Sequence, residues 1–227
     1  MATLKKTILG RLSGTVGDLV FRNKKGRNFV SSKPASFNAP SDEASLERRA
    51  RFGLTIKFAT SVGSIPELKE IWRTYKPSRY TTHNFIIKEN YPLITHEGIS
   101  NAAMIVPPNG FLNDFDSINV SQSNLTVEYT AIGNELGIDP LVETNFRLAG
   151  IIFLSSPVDS SFQPYSFISV ISGPVPVDLN EPLVFTAPFS AQQSELVSKY
   201  QTRKAFCTVI SFTAENKIVN FARTFTG

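Results

Sequence analysis

Hydrophobic and polar positions follow two different periods along the chain, and the change occurs near residue 93. Before it, apolar residues recur at helical spacing, whereas after it short apolar runs are separated by Pro, Gly, Asn and Ser. The first pattern predicts helices over about residues 42–62, 64–76 and 78–90. The second predicts an antiparallel β-sandwich of seven or eight strands.

The helical segment contains recognisable start signals. Ser41 follows Pro40 and precedes two acidic residues, so we expect it to cap the first helix. The sequence Ser-Ile-Pro-Glu at residues 64–67 has the pattern of a capping box, with proline in the first turn. The second helix then has one predicted apolar face, made by Leu68, Ile71, Trp72 and Tyr75.

The predicted strands are short and differ in their exposure to solvent. They cover residues 102–106, 117–120, 125–131, 145–154, 165–171, 183–187, 205–212 and 218–225. Residues 125–131 alternate between apolar and polar side chains, which predicts a strand with one solvated face. Residues 148–154 do not alternate, which predicts a central strand.

The first 40 residues form a separate basic arm. Short apolar runs at 18–23 and 28–32 flank the sequence Lys-Lys-Gly-Arg, which predicts a β-hairpin in which Gly26 supplies a positive φ. Two strands alone are marginal in water, so the hairpin needs a surface to pack on. The predicted organisation is therefore an arm over 1–40, a helical segment over 41–92 and a sandwich over 93–227.

Charge is distributed unevenly along the chain. Residues 1–40 contain eight basic residues and only Asp18 as an acid, a net charge of +7, whereas residues 91–227 have a net charge of −6. The arm is therefore solvated, binds an external polyanion, or binds an acidic surface of a neighbouring copy. Phenylalanines beside the lysines suit nucleic acid, and eight positive charges suffice for salt-dependent phosphate binding.

The apolar content of the arm favours a protein partner. Burying one large apolar side chain contributes ~1.5–3 kcal/mol, and five such residues lie in the hairpin. We predict that the contact residues are Leu19, Phe21, Lys24, Lys25, Arg27, Phe29 and Val30.

Candidate catalytic and metal-binding residues are few. His83 and His96 are the only histidines and Cys207 is the only cysteine, whereas a structural zinc site usually has four ligands. Neither histidine lies in a nucleophile motif, and we expect His83 to be a partly buried packing residue. The sequence predicts no enzyme activity, no metal and no cofactor.

Compartment signals are weak. The basic N-terminus has no apolar stretch of signal-peptide length, and the longest apolar run, near residues 149–154, is too short to cross a bilayer. Cys207 alone cannot form an intrachain disulfide. We expect a protein without a membrane span, located in the cytoplasm, or in the virion if a phage encodes it.

Both ends of the chain resemble one family. The matching segments are Leu-Gly-Arg-Leu-Ser-Gly-Thr-Val-Gly-Asp-Leu-Val-Phe-Arg-Asn at residues 9–23 and its continuation to Val30, the Arg-rich residues 47–52, and the closing residues 206–223. They are similar to a family of uncharacterised Bacteroidota proteins with a Gly-punctuated basic N-terminus and an immunoglobulin-like C-terminal half. The resemblance implies an architecture and transfers no activity.

Together these observations predict an α+β, mainly β protein. Its C-terminal antiparallel immunoglobulin-like β-sandwich would follow a basic N-terminal hairpin and a small helical segment. The predicted function is that of a structural or assembly protein, self-associating through the arm, such as a component of a phage virion, a tail or an injection-system-like filament. Its partners would be further copies or other subunits. The alternative is a nucleic-acid- or ribosome-associated protein that binds through the arm.

Overall fold

The computed structural model divides the chain into two compact units, Met1–Leu46 and Glu47–Gly227. Strand residues outnumber helical residues, and paired strands are antiparallel, so the protein is α+β and mainly β as predicted. No helix among the described residues is both long and apolar enough to span a bilayer. The residues described are 2–3, 12–24, 26–33, 36, 39–112, 114–131, 133 and 137–227.

The first unit contains a four-stranded sheet. Its strands are β1 (Ala2–Thr3), β2 (Gly14–Val16), β3 (Leu19–Lys24) and β4 (Arg27–Ser32), in the order β1-β4-β3-β2. The predicted hairpin is β3–β4, and Gly26 in its turn has a φ of 77°. The sequence did not predict β1 and β2, because two or three residues are too few to establish a period.

Three helices follow along the chain: α1 (Glu43–Ser64), α2 (Pro66–Tyr75) and α3 (Thr82–Asn90), and a short 3-10 helix at Tyr91–Leu93. The capping box predicted at residues 64–67 is wrong, because α1 continues through Ser64 and an N-cap must have a non-helical backbone. The third helix begins later than predicted, since the Thr81 side chain caps it by accepting a hydrogen bond from Asn84 N.

The strands of the second unit match most of the prediction. They are β5 (Phe115–Val120), β6 (Asn124–Tyr129), β7 (Asn145–Pro157), β8 (Tyr165–Ile171), β9 (Val175–Pro176), β10 (Leu183–Pro188), β11 (Tyr200–Phe212), β12 (Ile218–Phe221) and β13 (Phe225–Thr226). An additional helix, α4 (Ala191–Ser198), has a capping box formed by Ser190 and Gln193.

The strand predicted at 102–106 is wrong. This segment is irregular, yet Ala103, Ile105 and Val106 are buried. The buried Asn90 side chain donates to Met104 O at 3.0 Å and accepts from Met104 N at 2.7 Å. One side-chain amide therefore satisfies backbone groups that a neighbouring strand would otherwise have to satisfy.

Two sheets make up the β layers of this unit. The smaller has the order β10-β6-β5, and the larger has the order β12-β11-β7-β8, with β9 paired to β7 and β13 paired to β11. The longest pairing joins β7 to β11 over almost their whole lengths.

The larger sheet is buried on both faces. Ile151 and Phe153 lie on one face in a core shared with the helical residues Phe58 and Trp72. Ile152 and its neighbours lie on the other face, in a core shared with the smaller sheet. This arrangement explains why residues 148–154 do not alternate and confirms the predicted central strand. Helices and strands thus share a core across the boundary predicted near residue 92.

Candidate functional site

The N-terminal sheet arranges the predicted contact residues on two faces. Residues directly opposite each other in an antiparallel pair lie on the same face, and successive residues alternate between faces. Phe21 pairs with Val30, and Leu19 precedes Phe21 by two positions, so these three share a face. Lys24 pairs with Arg27 and shares the opposite face with Phe29.

The first of these, the apolar face, consists of Val16, Leu19, Phe21 and Val30. Val16 lies opposite Leu19, and these two side chains are 70% and 45% exposed. Phe21 and Val30 are only partly buried. Asn28 lies on the same face two residues before Val30 and is fully buried, so the apolar face is covered at that end and open at the end of Val16 and Leu19.

The second, the basic face, consists of Val20, Arg22, Lys24, Arg27 and Phe29. Arg22 lies directly opposite Phe29 in the strand register, so the two share this face. The three cations are exposed, and none has an ion-pair partner in the part of the chain that the structure describes. This face can bind phosphate or carboxylate groups and can stack on a planar ring.

An amide pair holds the hairpin in register. Asn23 and Asn28 lie opposite each other, and Asn23 Nδ2 donates to Asn28 Oδ1 at 2.6 Å. Leu12 N also donates to this oxygen, at 3.3 Å. Asn28 is 1% exposed, so a shift of the pairing would leave a buried amide without these partners. Asparagine commonly signals a turn, so the sequence alone did not predict this pair.

The predicted contact set is therefore not one surface. Leu19, Phe21 and Val30 are separated by the thickness of the sheet from Lys24, Arg27 and Phe29. Phe29, expected to act with Phe21, belongs to the basic face. Lys25 lies outside the described residues. The alternation of Leu-Val-Phe-Arg-Asn-Lys at residues 19–24 was the signal that could have separated the two faces.

The two histidines occupy exposed positions. His83 is an exposed residue near the start of α3, so its predicted partial burial is wrong. Its Nε2 lies 3.3 Å from Thr60 Oγ1. His96 Nε2 lies 3.5 Å from a carboxylate oxygen of Glu47. Neither contact links an acidic side chain, a histidine and a nucleophile in one hydrogen-bonded chain.

Cys207 lies in the core, and the acidic side chains of the described residues do not cluster into a metal site. Cys207 is completely buried in β11, and burial raises the pKa of its thiol. Because the thiolate is the reactive form, Cys207 acts as a packing residue. No group of three or more His, Cys, Asp or Glu side chains among the described residues could hold a metal ion.

A cleft of about 570 Å³ lies between α2 and β12. Ile71, Tyr75 and Phe221 contribute to its apolar lining. Two of its polar groups are already engaged, since Glu70 binds Arg73 and Asn216 accepts a hydrogen bond from Arg147. The cleft therefore offers mainly apolar wall to a ligand.

Comparison with known proteins does not assign a function to these surfaces. No family model matches the chain, and no curated protein matches it. The similarity to Bacteroidota proteins described above stays an expectation from the terminal segments. The two faces of the N-terminal sheet are thus the best defined candidate site.

Proposed function

We propose that the protein is a non-enzymatic structural subunit that assembles with further copies of itself through its N-terminal sheet. The exposed apolar face carries this proposal. Each large apolar side chain contributes ~1.5–3 kcal/mol when it is buried, and a sheet of short strands is marginal without a covered face. A partner that covers Val16, Leu19, Phe21 and Val30 would therefore stabilise the sheet and gain affinity.

Charge favours a second copy as that partner. The arm over residues 1–40 has a net charge of +7, and residues 91–227 have a net charge of −6. A head-to-tail contact between copies would bring these opposite charges together. Such heterologous contacts build rings or filaments. A phage virion, a tail or an injection-system-like filament is the kind of assembly that would use this subunit.

The strand order supports an immunoglobulin-like assignment for the two β layers. In immunoglobulin-type sandwiches one sheet contains the order A-B-E and the other contains C-F-G, to which C′ is added beside C in variable-type domains. Reading β5, β6 and β10 as A, B and E, and β8, β7, β11 and β12 as C′, C, F and G, reproduces both orders. Helices packed on the larger sheet and the single Cys207 distinguish this chain from antibody domains.

The basic face supports a second candidate function, nucleic-acid or ribosome binding. Arg22, Lys24 and Arg27 could neutralise phosphates while Phe29 stacks on a base. This function would use the face of the sheet opposite to the one that self-assembly requires. The two candidates can therefore be separated by variants of one face at a time.

Two double variants test the proposal. In Phe21→Ser with Val30→Ser the apolar face is disrupted, and in Lys24→Ala with Arg27→Ala the basic face loses two charges. We expect the first to weaken self-association by ~10- to 100-fold, because completing the burial of two partly buried apolar side chains contributes about 1.5–3 kcal/mol. The second should change it less than about tenfold near physiological salt, where the Debye length is ~8 Å. Sedimentation equilibrium at two salt concentrations measures both.

The control is Val158→Ser, which changes an exposed valine in a loop of the second unit. It should leave both folding and association unchanged. A wild-type protein that stays monomeric at all accessible concentrations would contradict self-assembly. If the charge variant abolishes binding to an oligonucleotide, binding falls steeply with salt and the apolar variant has no effect, nucleic-acid binding replaces the proposal.

A further inference from the structure

The outer strands of the two sheets in Glu47–Gly227 differ in how their free edges are covered. These strands are β5 and β10 in the smaller sheet and β8 and β12 in the larger. On β5, β8 and β12 a backbone carbonyl at the free edge accepts a hydrogen bond from another part of the chain. The pairs are Val120 O with Arg203 Nη1 at 3.1 Å, Ser169 O with Gln193 Nε2 at 3.2 Å, and Phe221 O with Phe111 N at 3.0 Å.

Among the residues that the structure describes, none covers the edge of β10 in this way. Phe189 N donates to Ser123 O at 2.8 Å, which fixes the hydrogen-bonding phase of the β6–β10 pair. Residues of β10 at an even spacing from Phe189 thus direct their backbone groups to β6, and Val184 and Thr186 direct theirs outward. Within the described part of the chain, these outward groups have no hydrogen-bond partner.

The same edge lacks the features that commonly prevent strand addition. Natural edge strands are blocked by lysine, by bulges or by proline within the strand. β10 has a regular register with β6 and no charged residue, and Pro188 stands only at its end. Val184 is 55% exposed. An extended segment could therefore pair with the outward N–H and C=O groups of Val184 and Thr186.

The surroundings of β10 are acidic. Glu128 lies directly opposite Val184 on the outer face of the smaller sheet, and Glu181 lies two residues before β10. Between residues 91 and 198 the only basic residue is Arg147, which is near Glu67 at 3.9 Å. An added strand would thus lie beside the Glu128 carboxylate, so a basic partner is favoured.

We propose that the free edge of β10 binds the edge strand β2 of a second copy, so that the two sheets join edge to edge. This inference rests on the proposed self-assembly and names its receiving surface. The inner face of β10 is apolar and its outer face is next to Glu128. In one orientation of the joined sheets, the apolar face of the N-terminal sheet continues the inner face.

In that orientation the basic face continues the acidic outer face. Neighbouring strands are about 4.8 Å apart, so β3 with Arg22 and Lys24 would lie about 10 Å from β10. This distance is close to the Debye length of ~8–10 Å at moderate salt, and long side chains shorten it further. Apolar and charged surfaces are therefore matched at the same time, which is the reason to choose β2 of a second copy over an unrelated strand.

Disulfide trapping tests the contact in the full-length protein. Copies carrying Val184→Cys are mixed with copies carrying Thr15→Cys, whose side chain lies on the basic face opposite Val20. Native Cys207 is fully buried and stays unreactive. Opposed positions on paired antiparallel strands have α-carbons ~4.5–5.5 Å apart, which lies within the ~4.4–6.8 Å that a disulfide spans. We expect at least about fivefold more mixed disulfide than with Val219→Cys, a comparably exposed residue on β12.

A second measurement distinguishes the edge contact from self-assembly in general. Val184→Lys places a positive charge on the edge and should weaken association about tenfold or more, whereas Val219→Lys should not. Association of the wild type with no preference for position 184 in trapping, and no effect of Val184→Lys, would overturn the edge contact and leave self-assembly standing. A monomeric wild type that forms no mixed disulfide would overturn both.

Discussion

Removal of the helices is the sharpest test of how this protein is built. The alternation of strands predicts that residues 93–227 fold alone. The packing gives the opposite expectation, because the larger sheet shares a core with α1, α2 and α3. Five large side chains of this sheet face that core and are at most 6% exposed. They are Ile151, Phe153, Phe206, Ile210 and Phe212.

The loss can be compared with the stability of a domain. At ~1.5–3 kcal/mol for each side chain, exposing these five would cost roughly 8–15 kcal/mol as an upper bound. A typical domain is stable by only about 5–15 kcal/mol in total. We therefore expect residues 93–227 to lose fixed tertiary structure, whereas residues 47–227 keep both cores and fold.

Urea unfolding followed by circular dichroism, together with amide NMR spectra, measures the difference. Residues 47–227 should give one cooperative transition and dispersed amide resonances. Residues 93–227 should give a shallow transition, bind a hydrophobic dye and aggregate as concentration rises. A cooperative transition with dispersed resonances for 93–227 would refute the shared-core reasoning and support a domain boundary near residue 92.

Two further substitutions probe single contacts in the cores, both measured by urea denaturation. Trp72→Phe removes the indole that donates to Ile105 O at 2.8 Å and should lower the free energy of unfolding by about 1–3 kcal/mol. The control, Tyr75→Phe at an exposed position, should change it by less than about 0.5 kcal/mol. Equal effects would contradict the role of this hydrogen bond. Gly150→Ala places a β-carbon 2.6 Å from a leucine methyl group of β6 and should lower the free energy of unfolding by about 1–3 kcal/mol. The control, Gly173→Ala, adds a β-carbon in open space and should not lower it. A neutral Gly150→Ala would show that the core between the sheets can rearrange to accept the methyl group.

Local pattern predicted much of the secondary structure. The bounds of β8 and the course of α1 follow from period and from flanking turn residues, which act within a few positions along the chain. The central strand over 148–154 was also predicted, because burial on both faces removes alternation. The residue types of the candidate contact surface could also be predicted, because a basic and apolar hairpin is a local feature of the sequence.

The tertiary structure decided which side chains are buried and on which face of a sheet each one lies. Tyr75 continues the apolar face of α2 in sequence, and Phe85 of α3 contacts its ring, yet it is exposed because it also lines the open cleft beside β12. The segment 102–106 is buried without being a strand, because Asn90 occupies its backbone groups from another element. Phe21 and Phe29 look equivalent in sequence, yet the strand register places them on opposite faces. Each outcome depends on a contact with residues distant in sequence, and neither composition nor periodicity specifies which distant residues make that contact.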